Sequence, residues 1–256
     1  MKIGMTERLA GKVILVTGGT SGIGEAVARR VVAEGAAVVV GARRADIGRT
    51  LVDQLLAGGG KAVFVPADVS IEADAQALVA AAVAEFGRLD GALNNAGSVT
   101  ASGPVQGIDA ADWAADLGSN LNSVFYGVKH QVPAMLAAGG GSIVNNASIA
   151  ADIGIPRMSP YVAAKHGVIG LTRSVALECA ADGVRVNALI TGNVDTPLYR
   201  GMLGAGPDDD LGEAPNPTKR AASPAEIAAF VAFLLSDEAA FITGAALPID
   251  GGATAQ

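Results

Sequence analysis

A tyrosine and a lysine stand four residues apart in the stretch "SPYVAAKHG", residues 159–167. On a helix that spacing puts both side chains on one face. A free phenol titrates near ~10. A neighbouring ammonium and a helix N-terminus both favour the phenolate, and a proton that exchanges nearer neutrality suits acid–base work at a carbonyl or alcohol oxygen. Ser159 followed by Pro160 reads as an N-cap with proline at the first helical position, which places Tyr161 in the first turn and Lys165 one turn on. The same pair suits a plain surface helix, and the spacing alone does not choose.

A second stretch, "VTGGTSGIG" (16–24), follows an apolar run and opens a helical one. A dinucleotide turn needs glycine where the chain bends, where backbone approaches a pyrophosphate, and where helix meets strand. The helix start then offers free N–H groups to the phosphates. Gly18, Gly22 and Gly24, with Thr20, Ser21 and Ile23 between them, are candidate cofactor contacts in a G-x-x-x-G-x-G spacing. No Gly-Lys-Ser/Thr follows, so a Walker A loop is excluded, and no G-x-S-x-G marks a serine hydrolase. After the second apolar run comes "GARRAD". Arginine at a helix start runs against the dipole preference unless an anion compensates, so Arg43 and Arg44 point to the 2′-phosphate of NADP. Two solvated arginines are the alternative.

The elements needed to position these groups are legible as seven short apolar runs, at 12–18, 36–42, 61–67, 90–96, 141–147, 183–189 and 245–251. Helical patterns separate them. The clearest, from Ile71 to Phe86, sets Ala75, Leu78, Val79, Ala82, Val83 and Phe86 on one face before Gly87. Strands alternating with helices imply α/β architecture: one Rossmann-like, doubly wound, seven-stranded parallel sheet with helices on both faces. With no linker or repeat, residues 1–256 read as a single domain. Residues 196–222 break the rhythm with glycine and proline and follow the sixth strand at its carboxyl end, where such sheets bind ligands, so they read as a substrate lid. Asp208, Asp209 and Asp210 within it read as a solvated run.

Half of the residues are hydrophobic, enough for a large core, and the net charge of −7 argues against general nucleic-acid binding. The single cysteine, Cys179, allows no internal disulfide and reads as an inert helix residue. No apolar leader opens the chain and no run is long enough to span a bilayer, so a cytoplasmic protein is expected. His130 and His166 lack partners at metal spacing, and Trp113 reads as a packing residue. No metal site is expected.

Taken together, "TGGTSGIG" (17–24), "ADV" (67–69), "NNAG" (94–97), "SNLNSVF" (119–125), "NNAS" (145–148), "YVAAK" (161–165) and "VDTP" (194–197) resemble the short-chain dehydrogenase/reductase family over nearly the whole chain. The resemblance implies a catalytic set of Asn120, Ser148, Tyr161 and Lys165. Tyr161 would exchange the proton at the substrate oxygen and Ser148 would hydrogen-bond that oxygen. Lys165 would hold the nicotinamide ribose and lower the Tyr161 pKa. Asn120 would hold a water in the relay. It further implies Asp68 and Val69 at the adenine, Asn94, Asn95, Ala96 and Gly97 as a segment lining the adenosine-side ribose and supporting the sheet, and Gly192, Val194 and Thr196 near the nicotinamide. Thr191 stands where the family usually has proline, which predicts a looser turn.

The expected reaction is NADP(H)-dependent interconversion of a hydrophobic ketone and a secondary alcohol. The alternatives are an NAD(H)-dependent dehydrogenase or a non-catalytic nucleotide sensor on the same fold. Ile149, Ile153, Ile155, Pro156 and Met158 supply an apolar wall, with Arg157 either solvated or reading an anion. Apolar positions on more than one face of the helices near 109–137 and 159–181 (Leu117, Leu121, Val124, Phe125, Val128; Val168, Leu171, Val175) point, with the family's habit, to a homotetramer. The ending "GGATAQ" is similar to tetrameric members whose terminal carboxylate meets a divalent ion.

Overall fold

The computed structural model describes residues 7–255. Its strands are β1 (Val13–Thr17), β2 (Ala37–Ala42), β3 (Lys61–Pro66), β4 (Gly91–Asn94), β5 (Gly141–Asn146), β6 (Val184–Thr191) and β7 (Ala246–Ile249). They form one sheet in the order β3-β2-β1-β4-β5-β6-β7, every pair parallel. Each falls on an expected apolar run, but β6 extends two residues beyond its run, through Thr191. The order reverses between β1 and β4, so their carboxyl ends flank the switch-point crevice where such sheets take ligands.

Both sheet faces are buried, which is why the strands read as continuous apolar runs. Ile14 and Val16 of β1 join one core with α1 (Gly22–Ala33), α2 (Ala45–Ala57) and α8 (Pro224–Leu235). Val13 and Leu15 join the other with α3 (Glu72–Phe86), the helix Ser123–Ala137 and the helix Ser159–Cys179. In α3 the expected stripe holds with two corrections. Ile71 caps the helix from outside it, and Val83 is 46% exposed because it lies past the edge of the buried face. Gly87 takes the left-handed C-cap conformation at φ 82°.

Two further helices precede and follow the site. α4 (Ala110–Leu117) and α5 (Ser123–Ala137) are joined by a π-helical turn, Gly118–Asn122, which carries Asn120. α6 (Ser159–Cys179) carries Tyr161 and Lys165. Its cap is Met158, not Ser159, so proline and serine both lie inside the first turn. The Ser159 hydroxyl is buried without a hydrogen-bond partner among the described residues. Segment 196–222 is not formless. It opens with α7 (Pro197–Leu203), capped by the Thr196 hydroxyl, which accepts the Tyr199 N–H at 3.2 Å. Trp113 is 39% exposed rather than packed. Cys179 ends α6 and is buried.

Among the described residues no helix is long and apolar enough to cross a membrane, and no cluster of His, Cys, Asp and Glu could hold a metal. The expectations about a leader and a C-terminal ion concern residues 1–6 and 256, which lie outside the described residues.

Candidate active site

A cleft of about 840 Å³ opens over the carboxyl ends of the strands. Its nucleotide end is built from backbone. Gly22 has φ 54°, a left-handed conformation that other residues adopt at a cost, and it approaches the start of segment 196–222 so closely that a Cβ would sit 2.9 Å from Thr196 Cγ2. Ser21 caps α1 in position but makes no side-chain cap bond, so no side chain shields the first-turn N–H groups. Arg43 and Arg44 follow β2, both exposed, and Arg44 donates to Ser21 Oγ at 2.9 Å and Thr20 Oγ1 at 3.3 Å. No carboxylate ends β2; Ala42 stands there. The Asp68 carboxyl is held below its ordinary range by the Ser70 hydroxyl and amide against its partial burial, with Arg43 adding to the effect. An uncapped helix start and two exposed cations around a long cleft fit the phosphates of a dinucleotide.

At the centre of the cleft Ser148, Tyr161 and Lys165 come together. Lys165 is 4% exposed, and its ammonium donates to the Asn146 carbonyl at 2.9 Å and lies 5.5 Å from the centroid of the Tyr161 ring. Burial lowers its pKa to about 8. That fall from 10.5 means the site disfavours the ammonium by about 3 kcal/mol. Burial also pushes the Tyr161 phenol above its ordinary value; a hydrogen bond with the Ser148 hydroxyl opposes the rise and the Asp116 carboxylate adds to it. In the protein alone, then, the expected lowering of the phenol does not occur, because desolvation outweighs the favourable neighbours.

The family model described as enoyl-(acyl carrier protein) reductase matches residues 18–254. Cyclohexanol dehydrogenase of Acinetobacter sp. (strain SE19) is 41% identical over 256 residues, covering 98% of each chain. Levodione reductase of Leifsonia aquatica is 39% identical over 259 residues, covering 98% of this chain and 97% of that one. A crystal structure of levodione reductase superposes with a TM-score of 0.90 at 38% identity, covering 96% of this chain and 98% of that one. The chain belongs to the short-chain dehydrogenase/reductase family. It is an oxidoreductase acting on CH–OH and C=O groups in a family that uses NAD(P).

In this short-chain dehydrogenase/reductase nearly all the expected contacts line the cleft: Gly18, Thr20, Ser21, Gly22, Ile23, Arg43, Arg44, Asp68, Val69, Asn95, Ala96, Gly97, Asn120, Gly192, Val194 and Thr196 join the central three. Two do not. Gly24 faces inward, where a Cβ would sit 2.3 Å from the Gly18 carbonyl oxygen, so its role is close packing of the turn. Asn94 is in the core, donating to Gln131 and Asn145 at 3.0 and 2.9 Å, so it supports the sheet as expected but does not line the cleft.

The sequence reading also missed a polar chain across the strand ends. Thr191 Oγ1 donates to Asn146 Oδ1 at 3.2 Å, and Asn146 Nδ2 donates to Asn95 Oδ1 at 3.0 Å. Asn95 Nδ2 in turn donates to the Thr17 carbonyl at 3.2 Å. Thr191 therefore makes no loose turn: the strand continues through it, and its hydroxyl reaches the residue whose carbonyl holds Lys165. Two asparagine pairs and a threonine in place of proline were the available signal. The Asn120 amide is fully used, donating to the Ser98 and Asp116 carbonyls at 2.7 and 3.0 Å and to Ser119 Oγ. Its side chain holds the loop at Ser98.

The substrate end is apolar. Val99, Ile149, Ile155, Met158, Leu198 and Met202 line it. Ile153 lies outside it, 41% exposed. Arg157 is exposed and does not line the cleft, and its backbone sits at φ 69°. Arg200 clamps Asp195 and donates to the carbonyls of Gly206 and Asp209 at 2.7 and 3.0 Å. Asp209 and Asp210 accept backbone N–H groups of the same segment, at Gly206 and Gly212.

Proposed function

We propose that the enzyme interconverts a hydrophobic alicyclic ketone and its secondary alcohol with NADP(H), and that Tyr161 exchanges the proton at the substrate oxygen. The observation that carries this reading is the meeting of Ser148, Tyr161 and Lys165 between the glycine turn and an apolar wall. Bound NADPH supplies the hydride. The Ser148 hydroxyl donates to the substrate oxygen, and the Tyr161 phenol, kept protonated by burial, delivers its proton there. Lys165 sits under the phenol and steadies the charge left behind.

The names of related proteins support an alicyclic substrate. Cyclohexanol, cis-4-hydroxycyclohexanecarboxylate and 2,5-dichloro-2,5-cyclohexadiene-1,4-diol are the compounds in the names of three dehydrogenases 41–44% identical to this chain. The arginines and the absence of a carboxylate after β2 support NADP(H), and an actinorhodin polyketide ketoreductase variant solved with NADPH superposes with a TM-score of 0.88 at 36% identity. Phe125 and Leu177, exposed on α5 and α6, suit burial in the homotetramer we propose, with the cytoplasm as its compartment. A monomeric mass by light scattering would contradict that assembly.

The test is oxidation of NADPH and of NADH with cyclohexanone, open-chain ketones and sugars, for the wild type and Arg43→Ala. We expect turnover with the cyclic ketone and NADPH, and a preference for NADPH over NADH that falls about tenfold in the variant, as for loss of one charged hydrogen bond. Turnover of sugars alone would contradict the apolar pocket. Bound NADPH with no turnover of any ketone would favour the sensor reading, and an unchanged preference in Arg43→Ala would remove the assignment of NADP(H).

A further inference from the structure

Residues 98–102 contain no helix or strand, yet Ser98, Val99 and Thr100 line the cleft. Backbone in such a wall must find partners for its N–H and C=O groups. Two fully buried side chains, one helical turn apart, supply them. Asn120 accepts the Ser98 N–H at 3.3 Å and donates to the Ser98 carbonyl at 2.7 Å. Asp116, in the last turn of α4, accepts the Thr100 N–H at 2.8 Å and the Ala101 N–H at 3.3 Å. On its other side the loop is tied to the apolar wall by the Gly103 N–H, which donates to the Arg157 carbonyl at 2.9 Å. Asp116 neither gives nor takes the proton in the transfer described above; its charge reaches Tyr161 only at a distance, by adding to the rise of the phenol. A buried carboxylate is costly unless it is hydrogen-bonded, and its two oxygens match two successive amides of the loop.

We propose that Asp116 is a specificity-determining positioning residue: it ties segment 98–101 to the bend carrying Asn120 and so fixes the width of the substrate end of the cleft. This rests on the reading that the cleft takes an alicyclic ketone. A carboxylate serves both amides, an asparagine oxygen serves one, and a leucine serves neither. Loosening should therefore be graded from the wild type through Asn to Leu.

The experiment compares the wild type, Asp116→Asn and Asp116→Leu by amide hydrogen exchange of segment 98–103, by NADPH binding, and by kinetics on cyclohexanone and a bulkier bicyclic ketone. We expect exchange to accelerate about tenfold in the Asn variant and more in the Leu variant, confined to that segment. KM for cyclohexanone should rise several-fold while NADPH affinity holds, and the preference for the smaller ketone should narrow in the same order. Should the Leu variant not fold, the Asn variant carries the comparison. Unchanged exchange in a folded variant would overturn the tie. Faster exchange with unchanged size preference would overturn the role in specificity, as would equal losses of NADPH and ketone binding. A wild type inactive on every ketone while binding NADPH would instead sink the proposed reaction and its selectivity claim, and the exchange data would then still decide whether Asp116 holds the loop.

Discussion

The two ends of the cleft are held by different means. At the nucleotide end the shape is made by backbone: a glycine at positive φ, a helix start without a side-chain cap, and a turn packed so closely that one glycine meets another's carbonyl. At the substrate end the backbone is irregular, and side chains hold it, Asn120 and Asp116 on one flank and the Arg200 clamp on the other. Backbone shape tolerates little change, because any added atom meets main chain. A wall held by side chains can be altered one contact at a time, which suits a fold whose relatives act on many alcohols.

This contrast sets the expected size of perturbations. Gly24→Ala should have the larger effect, since its Cβ would lie 2.3 Å from the Gly18 oxygen and the turn must shift. Overpacking of this kind costs about 1–3 kcal/mol, so we expect NADPH binding by fluorescence titration to weaken about tenfold or more, with a lower Tm. An alanine variant that binds NADPH as the wild type does would erase the distinction between the two ends. Thr191→Val should have the smaller effect, losing one buried bond to Asn146 worth about 1 kcal/mol. A drop of a few degrees in Tm and a few-fold loss in kcat/KM, restored by Thr191→Ser, would place the hydroxyl in the support of Lys165. No loss in the valine variant would show that shape alone serves there.

The same contrast explains what could be read in the sequence. The five inner strands were legible because strands buried on both faces are continuous apolar runs, the part-exposed edge strands β3 and β7 because they still carry short apolar runs, and the turn because glycine spacing records backbone needs. The stop of α3 at Gly87 was legible for the same reason. The start of α6 was misplaced by one residue because serine before proline satisfies a cap rule that the fold does not use here. Asp116 gave no signal: an acidic residue in an amphipathic helix looks solvated until the loop it holds is seen. The direction of the Tyr161 shift was likewise hidden, since sequence shows the neighbouring charge but not the depth of burial. The α7 helix was hidden by the glycine and proline around it.

Where the two ends meet stands Tyr161, and its role in proton transfer is the claim on which the account depends. The most direct test is single-turnover oxidation of NADPH by cyclohexanone with Tyr161→Phe, alongside NADPH affinity in the same preparation. The account predicts a rate loss of about 10²–10⁴-fold, the usual contribution of a positioned acid, with NADPH affinity close to that of the wild type. A phenylalanine enzyme that binds NADPH and reduces the ketone at nearly the wild-type rate would contradict it.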